Sequence, residues 1–291
     1  MSTATLEPGI RDASATERLT RVVGTPATVL SALLVAVTSA ATVASLAYRD
    51  ALRGPEAMIG SLQGTALVLL VVTVPILAAS MLMVARGRTA WLLGWLGTLG
   101  SIMYQAVLLL FATPFNGFFF LYVAMLSLSF WALVALAPRI DVDELARAAG
   151  SHAPVRLVAA YLLINGVMFL ALWLQATVPA VLSTESPAFL EGTGMTTGPV
   201  QVLDLAFTLP LMTLAVVLLL RRRPWGYVLA GSLLVMLAIE SASIGVDQGL
   251  GQAADPASPA VSDALTPVFA VLTILGLGVL ALFLRPAPKR G

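Results

Sequence analysis

The stretch QVLDLAFTLPLMTLAVVLLLRRRPWGY, Gln201 to Tyr227, decides how this chain is read. About twenty residues pass with a single carboxylate, Asp204, and no alternation of apolar and polar positions. Three arginines and a proline then stop the run. At 1.5 Å rise per residue such a run spans a bilayer as a helix, where every backbone group must find its partner within the segment. The same signature recurs along the chain, roughly at 22–48, 62–84, 90–112, 117–137, 156–179, 225–246 and 264–284, so eight spans are expected in an all-α, polytopic transmembrane helical bundle.

Composition agrees. Of 291 residues, 59% are hydrophobic and 11% charged, with a mean hydropathy of +0.95, well above the roughly 45–50% apolar content of soluble domains. The absence of cysteine excludes thiolate metal sites and cysteine nucleophiles, and the lone His152 excludes multi-histidine zinc and bis-histidine haem sites. No cofactor and no metal are therefore expected. The net charge of +1 gives no reason to expect nucleic acid as a partner. The partner expected from composition is the lipid bilayer, with a small apolar or cationic ligand as a further candidate; oligomeric state is not legible.

Basic residues set the expected orientation. With a cytoplasmic N-terminus, fourteen of the sixteen lysines and arginines fall in inner segments, leaving Arg49 and Arg53 outside. Eight spans then return the C-terminus to the cytoplasm, and a bacterial inner membrane is the expected location. The first span is preceded by about 20 polar residues and is too long for a cleaved leader. Two outer loops, about 180–199 and 248–263, are rich in Ser, Thr, Pro and Gly.

Displacing the chain by 135 positions aligns Arg21 with Arg156, Thr73-Val74-Pro75 with Thr208-Leu209-Pro210, and Arg86 and Arg88 with Arg221 and Arg223. A parallel 4+4 internal repeat follows as an expectation: a cytoplasmic tail 1–20, a first four-helix repeat 21–138, a cytoplasmic connector 139–155, a second four-helix repeat 156–285 and a cytoplasmic tail 286–291. Pro75 and Pro210 lie inside their spans, where each frees a carbonyl and permits a kink.

Depth relates the polar residues. Asp204 stands 17 residues before Arg221, Glu240 stands 17 after Arg223, and Gln105 stands 17 after Arg88, so all three lie about 25 Å from the basic boundary. With Tyr104 beside Gln105 and Gln175 slightly further out, the expected site is a polar layer of Asp204, Glu240, Gln105, Tyr104 and Gln175, provided spans three, five, six and seven face one another. No base lies within a span, so each acid needs another compensation: a proton, water, a cation or the interface. Plainer readings stand beside this. Asp204 lies near a helix start with Thr197 as N-cap and Pro199 as first residue, Ser241 and Ser243 suit close helix contact, and Asp247 is expected at the surface. Gly94, Gly97 and Gly100 suit a packed seam. Trp91, Trp95, Trp131, Trp173 and Trp225 include headgroup-level rings, and the aromatics around Asn116 suit lipid contact.

The segments YQAVLLLFA, FNGFFFLYVAMLSLSF and VQVLDLAFTLPLMTLAVVLLLRRRPWGYVLAGSLLVM resemble a family of uncharacterised bacterial polytopic integral membrane proteins, over roughly residues 60–136 and 200–236. The matching signatures are Phe115-Asn116, Tyr122, Gln201, Leu203-Asp204, Pro210 and Arg223 to Tyr227. The resemblance implies topology and no mechanism. Members often carry an acid after the Gln63-Gly64 pair and a lysine near Met236; here Thr65 and Met236 stand.

Three function classes compete. The first is a carrier or small-molecule-binding membrane protein with an acidic polar site in the outer half of the bilayer. The second is a membrane-embedded enzyme using a protonated carboxylic acid on an apolar, isoprenoid-like substrate. The third is a non-catalytic membrane subunit whose acids satisfy helix contacts.

Overall fold

The computed structural model describes residues 25–150 and 153–285, all helix, turn and loop with no strand among them. The tails 1–20 and 286–291, and His152, lie outside the described residues. Eight helices are long and apolar enough to cross a membrane, the architecture of an integral membrane protein. They are α1 (Pro26–Ala47), α2 (Glu56–Ala85), α3 (Trp91–Phe111), α4 (Phe119–Leu136, continuing as a 3-10 turn to Arg139), α6 (Val155–Leu182), α7 (Pro199–Leu220), α8 (Pro224–Ala254) and α9 (Leu265–Phe283). The connector contains a short helix, α5 (Val142–Gly150), whose start is capped by Asp141 Oδ1 accepting the Glu144 N–H at 2.9 Å. Thr89 Oγ1 donates to Glu144 Oε1 at 3.0 Å, and Leu145 is fully buried, which fixes α5 under the basic end of the bundle.

Several spans are longer than the apolar runs. α2 begins at Glu56 rather than near residue 62, because Glu56 and Gln63 are tethered: Arg49 pairs with Glu56 and donates to Gln63 Oε1, so polar residues are carried into the helix. α8 continues to Ala254, past the expected end near 246, since Gly60 and Gly64 of α2 let the two backbones touch. A Cβ at Gly64 would stand 2.5 Å from Asp247 Cα, and one at Gly60 would stand 2.5 Å from the Leu250 carbonyl oxygen. Close approach of this kind is how helices associate where burial of apolar surface gives no net gain. Asp247 accordingly lies half-buried against α2, and its carbonyl accepts a bond from Ser61 at 3.1 Å; surface exposure was the wrong expectation because the helix does not end there.

α3 and α8 form the centre, each with more than half of its span enclosed, against at most 39% for the other six. Gly97 makes their crossing close, with a Cβ there 2.6 Å from the Ser232 carbonyl oxygen. Of the other glycines in that series, Gly94 approaches Ser80 of α2, while Gly100 faces open space near Met236. Trp95 is buried and donates its indole N–H to Ser31 at 2.9 Å, so it is a core residue and no headgroup anchor.

Both internal prolines are preceded by a wide turn. π-helical segments occupy Leu69–Thr73 and Asp204–Thr208, each ending two residues before its proline, and the two segments are 135 positions apart. An extra residue in the helix removes the clash of a proline ring with the carbonyl of the preceding turn. The same offset relates the turns that end these helices. Arg88 N–H bonds to Met83 O and Gly87 N–H to Val84 O, and Arg223 N–H bonds to Leu218 O and Arg222 N–H to Leu219 O. Such a Schellman turn needs one left-handed residue. Gly87 supplies it at φ 81°, but its counterpart is Arg222 at φ 52°, which costs about 1 kcal/mol for a side chain carrying a Cβ.

At the opposite end, residues 183–198 fold back over the bundle. Gly192 and Gly194, both at φ 70°, bring this loop against Pro259 and Pro55.

Candidate functional site

Tyr104 and Gln105 follow one another on α3, so their side chains leave the helix about 100° apart. That angle separates two carboxylates at one depth. On one side Gln105 Nε2 donates to Glu240 Oε2, and Ser101, one turn earlier on the same face, donates to Glu240 Oε1 at 2.6 Å. Gln105 Nε2 also lies 3.4 Å from Ser243 Oγ. Ser101, Gln105, Glu240 and Ser243 are all buried, Glu240 at 7% exposure. On the other side Tyr104 donates its hydroxyl to Asp204 Oδ1 at 3.1 Å, and Trp173 of α6 donates its indole N–H to Asp204 Oδ2 at 2.8 Å.

Each carboxylate is thus held by neutral donors on both of its oxygens, and no base among the described residues approaches either. A hydrogen bond to an ionised group contributes about 1.5–3 kcal/mol, which offsets part of the cost of placing a carboxyl group in hydrocarbon. Because the oxygens already accept N–H and O–H groups, this arrangement is built to hold a carboxyl group in place. Among the described residues no group of three or more His, Cys, Asp or Glu side chains is placed to hold a metal ion.

The structure therefore divides the expected layer into two neighbouring clusters, Gln105 with Glu240 and Tyr104 with Asp204. It does not bring in Gln175, which is exposed on the outward face of α6; Trp173, half a turn away, is the α6 residue that reaches Asp204. Thr197 does not cap α7 either. The N-cap is Gly198, with no side-chain bond, and Pro199 is the first helical residue as expected. Ser101 was readable one turn from Gln105 on the same face. Trp173 was not, because a tryptophan sequence does not tell an indole aimed at a carboxylate from one facing lipid.

The sequence also hid a cavity of about 800 Å³ between α3, α4, α7 and α8. It runs from Trp225 and Ile140 at the basic end to Tyr104 and Thr208 at the far end, along Gly97, Gly100 and Met236. Its walls are almost wholly apolar. Phe130 on α4 and Phe207 and Leu214 on α7 line it while remaining 46%, 66% and 48% exposed, so it opens sideways between these two helices. Neither carboxylate lines it; Tyr104 stands between the space and Asp204. One hydroxyl in the wall, Ser232 Oγ, is sealed from solvent and lacks a hydrogen-bond partner.

Compared with known protein families, curated proteins and solved structures, the chain matches none.

Proposed function

We propose that this protein is a carrier or binding protein for a lipophilic small molecule that it takes from the bilayer. The side-opening cavity carries this reading. At about 800 Å³ it falls in the 300–1,000 Å³ range of ligand pockets, and an opening flanked by exposed Phe130 and Phe207 faces the region where lipid lies. Tyr104 closes the far end, held in place by the bond from its hydroxyl to Asp204. The enzyme reading draws less support, since a catalytic acid must reach its substrate, and Asp204 is screened from the cavity while both its oxygens are engaged.

The proposal includes a parallel 4+4 repeat with a bacterial inner-membrane location and cytoplasmic termini. The repeat is supported by the 135-residue offset of the two π turns and of the two Schellman turns. Gln105 and Glu240 are also 135 positions apart and touch one another. Equivalent residues of a two-fold pair meet only at its axis, which the crossing of α3 and α8 would then mark. On this arrangement the chain holds one ligand, because the place equivalent to the cavity is filled by the contact of α2 with α8.

The test is to purify the full chain in mild detergent, extract it with organic solvent and identify co-purifying molecules by mass spectrometry. Gly100→Leu fills the cavity from a position whose Cβ meets only Met236 Sδ at 3.4 Å. The expected result is a lipophile bound near one per chain in the wild type and lost in the variant. Equal recovery from both would remove the cavity as its site.

A further inference from the structure

Resting on the reading of the cavity as a ligand site, we infer that its occupant is an anionic lipid whose phosphate-bearing head sits at Arg222, with a chain running into the cavity toward Tyr104.

The basic end of the cavity carries the argument. Ala137 and Ile140 line it there just after α4, and Trp225 lines it just after the turn from α7 into α8. Arg139 adjoins Ile140, and Arg221, Arg222 and Arg223 lie within four residues of Trp225. These three arginines are exposed. Basic clusters beside openings between membrane helices recruit anionic headgroups.

Arg222 adds an observation that generic anchoring at a span end does not explain. Its left-handed backbone is the natural place for glycine, and the matching turn of the chain does use Gly87. A conformational outlier of this kind points to a job for the side chain. Gly87 lies at the turn into α3, whose cavity lining begins only at Leu96, whereas Arg222 stands three residues before Trp225 in the wall.

The dimensions agree with one chain of a lipid. From Trp225 to Met236 the lining of α8 spans twelve residues, eleven helical rises or ~16 Å. That is the depth of a single leaflet, half of a hydrocarbon core roughly 30 Å thick. The chain enters sideways between α4 and α7 while its head stays at the surface, so no charged group crosses apolar wall.

Thermal unfolding of the delipidated full chain in detergent tests this, with titrations of dioleoyl phosphatidylglycerol, dioleoyl phosphatidylcholine and inorganic phosphate. The wild type is expected to be stabilised most by phosphatidylglycerol. Arg222→Gly keeps the turn and is expected to weaken the apparent affinity for phosphatidylglycerol about fivefold, the contribution of one arginine near a membrane surface, with the phosphatidylcholine response unchanged. Equal responses of the wild type to both lipids, an inorganic phosphate response as large as that to phosphatidylglycerol, or an unchanged Arg222→Gly affinity each overturns the inference. Gly100→Leu separates the two levels: if it abolishes both lipid responses while Arg222→Gly changes neither, the cavity stands and the headgroup site falls. If Gly100→Leu leaves both responses intact, the cavity reading and the inference fall together.

Discussion

The helix breaks at Pro75 and Pro210 are alike in sequence and in local shape, yet their surroundings differ. Each has a π turn of five residues before the proline and a Schellman turn at the helix end. Around the first break, glycines let α2 press its backbone onto α8, and the space closes. Around the second, the residue 135 positions on from Gly64 is Pro199, the first residue of α7. There α7 stands away from α3, Tyr104 and Trp173 reach across to Asp204, and the cavity remains. One backbone break therefore serves as a packing device or as the wall of a pocket, according to whether the facing residues are small enough to let helices meet.

The largest expected effect breaks the closed side. Gly64→Leu drives a side chain into the Asp247 backbone, an overpacking expected to cost more than about 3 kcal/mol, whereas Gly100→Leu on the open side is expected to leave stability nearly unchanged. Folded yield and apparent Tm in detergent check the pair, and equal losses would dissolve the distinction between the two sides. Next in size is Glu240→Leu, which strands the donors Ser101 and Gln105 and is expected to cost about 2 kcal/mol. Glu240→Gln keeps the shape and should stay within about 1 kcal/mol; the difference in their Tm values measures what the carboxyl group does beyond filling space.

On the open side, Trp173→Phe removes one donor from Asp204 and is expected to lower stability by about 1 kcal/mol, while Gln175→Ala at the exposed neighbouring position should have no measurable effect. Smallest is Arg222→Gly, which relieves a left-handed arginine and is expected to raise the stability of the lipid-free chain by up to about 1 kcal/mol. Differential scanning of the delipidated protein reads it, and a loss of stability would show that the arginine is held there by contacts within the chain.

Spans, prolines and the shared depth of Asp204, Glu240 and Gln105 were legible because each follows from counting residues at a fixed helical rise. The likeness of the two broken helices was legible because Pro75 and Pro210 stand at the same distance before the arginines that end them. Span limits were not, since tethers such as Arg49 to Glu56 and the touching backbones of α2 and α8 extend helices beyond their apolar runs. The partners of the acids were half legible. Gln105 and Tyr104 share the right depth, but which face of α6 turns inward depends on packing, and this decides for Trp173 against Gln175. The cavity was hidden altogether, because a sequence records what residues are and leaves out where two helices fail to meet.

The most direct measurement is a cryo-electron microscopy structure of the full chain in lipid nanodiscs at a resolution that shows acyl chains. The account expects α7 to stand apart from α3 with elongated density between them, running from Trp225 toward Tyr104. Helices closed upon one another with Phe207 packed into an empty space, or a gap holding no more density than the surrounding bilayer, would contradict it.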